Sequence, residues 1–297
     1  MDPPVSVTDE SPQLTLTFPS AFPSGQTPDD ELGDGTTLTV DVKAVSGDFE
    51  NEKSSNTVQP SASTPLPPGA LTGQATLYAG TDDDQSVVTG IDLVNNDGML
   101  LIKNYTSTAN PIIVDTIRGS NKALYTNTTD TEKDKPTWVK SFDTNGFTLG
   151  GSSVAVNTSP DNFVAWTFTV SPGYFDIVKW LGTGSDINVP HSLTSVPGCI
   201  ICKNLDRDSV NIGDWHVYHK DAGVTSYGKL NKAEPFTDTG VDYWSPTDAT
   251  FKAAYDINLS GPNETYIGYL FADTPGLIKC GSYDGTGSSV VVDCGFE

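Results

Sequence analysis

Three features of the sequence predict an all-β protein made of tandem β-sandwich domains, jelly-roll or Ig-like, preceded by an extended N-terminal arm. Turn-forming residues recur at short intervals, with 28 Gly and 20 Pro among 297 residues and Ser, Thr, Asn and Asp throughout. Stretches of helical period are absent, while short alternating or wholly apolar runs are common, the pattern of strands punctuated by turns. From about residue 73 onward the chain also repeats itself at a spacing of roughly 100 residues, the size of a β-sandwich.

Residues 1–72 read as an acidic, Pro-rich arm with room for a small β element. The first 70 residues hold ten of the prolines and eleven acidic against two basic residues, Lys43 and Lys53. Within them Leu14–Phe18 and Thr36–Val45 alternate like strands. Asp48–Gly69, rich in Ser, Pro and Asn, reads as an extended linker. The first repeat, 73–172, offers strands at Gly98–Lys103, Pro111–Val114, Gly146–Leu149 and Asn162–Val170.

The second repeat, 173–275, follows from sliding the chain against itself. An offset of 103 places 154–193 on 257–296 without a gap. Phe163–Phe168 then meets Tyr266–Phe271, Pro172-Gly173 meets Pro275-Gly276, and Gly182–Ser185 meets Gly285–Ser288. Upstream, Leu101–Asn104 matches Ile201–Asn204 and Tyr78–Thr81 matches Trp180–Thr183. So long a period marks an array of small domains and not a solenoid. Residues 276–297 read as the start of a third repeat, or as strands completing a neighbour, because an incomplete sandwich leaves an unpaired edge.

Lys and Arg number 16 against 38 Asp and Glu, a net charge of -22. Such a surface repels phosphate backbones and anionic headgroups, which argues against nucleic-acid or membrane-surface binding. Met1–Ser6 lacks the basic and apolar regions of a signal peptide, and no apolar run approaches the roughly 18 residues of a membrane span. Synthesis in a cytoplasm without membrane insertion is the expectation. Four cysteines are too few for a disulfide framework in this length of chain.

Several motifs point to chemistry and then fall short of it. Gly223–Lys229 has half of a phosphate-binding loop, but Leu230 stands where Ser or Thr must reach magnesium and Pro235 forbids the following helix. Cys199 and Cys202 have zinc-site spacing, yet a strand there sends the two sulfurs to opposite faces. Cys280 and Cys294 flank a turn and could pair across it. His216 and His219 are split in the same way, and with His191 read as surface or turn residues; no nucleophile elbow accompanies them. Asp82–Asp84 lacks the alternating ligands of a calcium loop. No catalytic, cofactor or metal residue is expected, and the chain reads as not an enzyme. Trp166 and Trp180 sit at repeat positions held by Tyr269 and Tyr283, a packing pattern. Trp215, Tyr243 and Trp244, in the loop-rich middle of the second repeat, are the candidate exposed aromatics for ligand contact, a host-surface glycan being the ligand they would suit.

Gly98–Asn104, Asp115–Gly119, Ser141–Gly150 and Asn162–Phe168, with Gly182–Ser185, Val196–Lys203 and Trp215–His219, resemble a repeat found in tail-associated virion proteins of marine and cyanobacterial phages. The resemblance covers about 73–297. It implies a structural virion protein, a tail fibre or other external appendage with a host-recognition role, displayed on the virion and contacting copies of itself and other virion proteins. Capsid decoration, a carbohydrate-binding module and a tailspike enzyme that cleaves glycan are the alternatives. In such repeats Gly-Phe-x-Pro commonly follows the turn, so Gly295-Phe296-Glu297 looks cut just inside a third repeat. An acidic arm implies a basic docking site on its partner.

Overall fold

In the computed structural model the chain divides into two compact parts, Met1–Ser61 and Ala62–Glu297. Described in full are residues 72–295; in the first part only the backbone of three strands is described. These are β1 (Val7–Glu10), β2 (Gln13–Thr17) and β3 (Thr37–Asp41), an antiparallel sheet in the order β1-β2-β3. Strands β2 and β3 fall on the two alternating stretches of the arm. The linker expected over 48–69, and Phe296 and Glu297, lie outside the described residues.

From residue 72 the architecture is all-β, with one 3-10 turn at Tyr255–Ile257. The first repeat contributes β4 (Gly73–Ala79), β5 (Gln85–Val88), β6 (Gly98–Asn104), β7 (Ile112–Asp115), β8 (Lys122–Tyr125), β9 (Lys133–Asp134), β10 (Val139–Asp143), β11 (Gly146–Leu149) and β12 (Asn162–Thr169). They form a six-stranded antiparallel sheet, β4-β12-β6-β7-β8-β9, and a small sheet, β10-β11-β5. The second contributes β13 (Phe175–Leu181), β14 (Ile187–Pro190), β15 (Cys199–Asn204), β16 (Trp215–His219), β17 (Ser226–Lys229), β18 (Thr237–Asp238), β19 (Thr250–Ala253) and β20 (Thr265–Phe271). Its sheets run β13-β20-β15-β16-β17-β18 and β14-β19. The six-stranded order is the same in both once β13 stands for β4, β20 for β12 and β15 for β6.

Side chains on the inner face of each large sheet pack under its small sheet. Along β12, Phe163, Ala165 and Thr167 are buried at every second position, as period-2 alternation requires. They join Leu100, Ile102, Ile112 and Val114 with Val87, Phe147 and Leu149 of the small sheet. In the second repeat the same role falls to Trp180, Ile200, Cys202, Tyr218, Tyr266 and Leu270 against Val189, Phe251 and Ala253. Burying each large apolar side chain of this kind contributes about 1.5–3 kcal/mol.

Matching residues make matching contacts. Tyr78 stacks on Phe163 at 5.2 Å and its hydroxyl donates to Val156 O; Trp180 stacks on Tyr266 at 5.4 Å and its indole N–H donates to Leu259 O. Asn104 accepts from the backbone N–H groups of Thr106 and Ser107 and donates to Asp161; Asn204 accepts from Asp206 and Arg207 and donates to Glu264. Gly80 and Gly182 each lie so close to the chain opposite, at Thr158 and Gly261, that a Cβ would meet a carbonyl oxygen at 2.2 Å. The join is repeated as well: Ser171 bridges Phe175 just as Thr274 bridges Ile278. Beyond it no strand forms among the described residues, and 281–295 are exposed.

Candidate functional site

The two large sheets face each other through their outward sides, and the joint between them gathers the side chains with most chemical capacity. Period-2 alternation sends Met99, Leu101, Ile113, Leu124 and Phe168 of the first repeat outward, where they pack against Phe175, Ile177, Ile267, Tyr269 and Trp215 of the second. Trp215 is wholly buried here, and its indole N–H donates to Tyr125 O at 2.9 Å.

Charge is buried in the same layer. Asp115, at the end of β7, receives the Tyr269 hydroxyl at 2.7 Å and the Arg118 guanidinium at 2.6 Å, and Arg118 reaches Glu132 at 3.3 Å. Asp115 and Arg118 are buried against each other and reach across the joint through the Tyr269 hydroxyl, so removing one partner leaves an uncompensated charge. Lys203 is also fully buried, donating to Thr129 O of the first repeat and Gly213 O of its own. Burial pulls its pKa down to about 8, against the opposing fields of Asp130 and Asp214. These donors and acceptors are consumed by one another and by backbone, an arrangement that orients two repeats.

The aromatic residues expected at the surface are interior. Trp215 and Trp244 are 0% exposed and Tyr243 7%. Trp244 lies in the second core, its indole N–H donating to Ser226 O, and Tyr243 meets Tyr227 edge to face at 5.7 Å. The expected exposure of these three is corrected: Trp215 stands on β16 and is sealed in the joint, while Tyr243 and Trp244 sit on a long connection that folds back into the second core instead of standing out as a loop. Trp180 is packed as expected, whereas Trp166 is 36% exposed on the outward face of β12.

His216 is also corrected, from a surface or turn residue to a buried strand residue whose pKa burial pushes down to about 4. His219 and His191 are half-buried. Cys202 is buried and Cys199 half-buried on opposite faces of β15; Cys280 and Cys294 are free. Gly223–Lys229 runs from a turn into β17, and Lys229 pairs with Asp214 at 3.1 Å. Asp82–Asp84 form an exposed bend. Among the described residues no group of three or more His, Cys, Asp or Glu is placed to hold a metal, and no helix is long and apolar enough to cross a membrane.

Sequence reasoning did not single out Asp115, Arg118, Tyr269 or Lys203 as a joint. One signal was present: Arg118 is one of two arginines in the chain and stands three residues from Asp115 beside an apolar run.

Geometry thus defines a class: an all-β chain of two like-connected repeats joined through a packed, partly ionic face. Residues 72–297 match the domain of unknown function DUF7483, and the chain belongs to that family. No curated protein and no solved structure is significantly similar to it.

Proposed function

We propose that this protein is a structural subunit of a tailed-phage particle, an external appendage of tail-fibre type whose repeats are tandem β-sandwiches. The observation that carries the reading is the joint. Two repeats are held at a set orientation by the Asp115–Arg118–Tyr269 network, by Lys203 and by Trp215, so that the most chemically capable side chains serve stiffness. This suits a load-bearing or spacing element, and the resemblance of 73–297 to repeats of tail-associated virion proteins supplies the setting. The part assigned to the chain is mechanical, with no catalytic step. The acidic arm, 1–72, is assigned to anchoring on a basic surface of another virion protein.

Imaging of purified particles with an antibody against residues 72–295 tests this. Label on the tail or its fibres is the expected result. Label over the head would replace the appendage with a capsid-decorating protein, and unlabelled particles would overturn the virion reading.

A further inference from the structure

Away from the joint, the second repeat carries a small cavity whose side chains differ from those at the matching places of the first. It measures about 270 Å³ and lies where the chain leaving β15, the 3-10 turn and the turn into β20 come together, with Arg207, Tyr255, Asn258, Pro262, Glu264 and Tyr266 in its lining. Two buried side chains hold Glu264 from behind. Asn204 Nδ2 donates to its Oε2 at 2.7 Å, and the Tyr266 hydroxyl, which accepts from the Gly261 N–H, donates to the same oxygen at 2.9 Å. The other oxygen, Oε1, meets the Arg207 guanidinium at 3.1 Å. Asn204 Oδ1 also accepts from the backbone N–H of Arg207, so one buried amide positions both charges.

The first repeat serves as an internal control. There Asn104 bonds Asp161 and the loop after β6 in the same way, and that suffices to fasten the loop. Where the second repeat has Arg207, Glu264 and Tyr266, the first has Ser107, Asp161 and Phe163, and the offset of 103 sets Tyr255 against Ser152. The second repeat thus adds a guanidinium, a longer carboxylate, a hydroxyl and an aromatic ring that the shared scaffold does not require. Stability does not account for them: the Arg207 side chain is 51% exposed, and an exposed ion pair is worth little. Tyr255 is 47% exposed.

A charged donor and a charged acceptor fixed side by side, with an exposed ring next to them, complement a sugar. A pyranose presents neighbouring hydroxyls that take one donor and one acceptor, and a C–H face that packs on an aromatic ring. Among the described residues, Arg207 has N–H groups beyond the one on Glu264, and Asn258 spends only its Nδ2, on Asn211 O, leaving Oδ1 to accept. The net charge of -22 and the carboxylate inside the site disfavour an anionic sugar. We propose that this cavity binds a neutral pyranose residue of a glycan, Tyr255 packing on its C–H face while Arg207 and Glu264 take adjacent hydroxyls. A volume at the small end of ligand cavities suits one ring. The site goes beyond the structural-subunit reading and does not rest on it. Sugar binding by a chain absent from particles removes the virion reading alone, and labelled particles whose protein binds no sugar remove this site alone.

The test is saturation-transfer difference NMR on the full chain with the methyl glycosides of glucose, galactose, mannose and N-acetylglucosamine, and with sialic and galacturonic acids as the anionic comparison. Transfer to the ring C–H protons of at least one neutral glycoside is expected. Titration should show binding about tenfold weaker in Tyr255→Ala and in Arg207→Ala, the factor that one hydrogen bond to a charged group supplies. Both side chains are exposed, so the far-ultraviolet spectrum and the urea midpoint should stay as in wild type. Trp166→Ala, which removes an exposed aromatic of the first repeat, should bind like wild type. No transfer to any neutral glycoside, undiminished binding by Tyr255→Ala and Arg207→Ala, an equal loss in Trp166→Ala, or tighter binding of the anionic sugars would each overturn the proposal.

Discussion

Trp166 and Tyr269 occupy the same place in two sheets of the same connectivity, yet one ring is open to solvent and the other is sealed in the joint with its hydroxyl on Asp115. The difference does not lie in local structure, since both are outward residues in the central part of equivalent strands, β12 and β20. It lies in what stands in front of them. Position in the array decides whether an outward aromatic is surface or core, and the two repeats measure that effect within one chain.

Tyr269→Ala would break the comparison most strongly. Truncating a buried aromatic leaves a cavity in the joint and removes a partner from the Asp115–Arg118 pair, so the expected loss is about 3–5 kcal/mol. Because the damage sits between the repeats, urea unfolding followed by tryptophan fluorescence and by far-ultraviolet circular dichroism should give transitions that no longer coincide. A single coincident transition shifted by less than about 1 kcal/mol, against the expectation for a buried ring, would mean that the joint does not couple the repeats.

The interiors differ too, and pH separates them. His216 of the second repeat stands where the first has Ile112, as the pairings Cys202 with His216 and Ile102 with Ile112 show. Burial lowers the imidazole from 6.5 to about 4 in the folded chain. Between those values the unfolded chain binds the proton and the folded chain does not, so stability is full above pH 6.5 and falls as pH drops toward 4. The contribution at stake is on the order of 3 kcal/mol. His216→Phe should flatten that part of the stability curve, measured by urea midpoints across pH 4–7, and an unchanged slope would show that the imidazole is not held neutral.

Tyr269→Phe refines the first comparison by keeping the ring and deleting the hydroxyl. Asp115 would keep Arg118 but lose one hydrogen bond, an expected cost of about 1.5–3 kcal/mol for a bond to a charged group. A smaller change than Tyr269→Ala, with coincident transitions retained, would assign the coupling to packing and the hydroxyl to orientation. Equal effects from the two variants would assign it to the hydroxyl alone.

Much of this architecture was legible because strands announce themselves by alternation and the repeat by its length. Asn162–Val170 alternates cleanly, and the offset of 103 carries β12 onto β20 and one join onto the other. The joint was not legible. In Met99–Ile102 every residue is apolar, which tells a reader that both faces of β6 are covered but not by what. Trp215 looked like an exposed aromatic because nothing local reveals that Tyr125, 90 residues earlier, offers its carbonyl. His216 and His219 were correctly split between faces by their spacing, yet a polar ring turned inward breaks the usual rule for cores, so its burial could not be read from composition. The two-residue strands β9 and β18 lie below the length at which any period can be seen.

Trp166→Ala carries the smallest expected effect and sharpens the comparison furthest. In an isolated chain the ring is partly solvated, so its loss should cost about 0.5–1 kcal/mol, far less than Tyr269→Ala at the equivalent place. Urea midpoints of Trp166→Ala and Tyr269→Ala measured side by side check the ranking, because the two rings occupy equivalent strand positions and differ in whether a second sheet stands in front of them. A loss from Trp166→Ala as large as that from Tyr269→Ala would show that coverage by the neighbouring repeat is not what separates them.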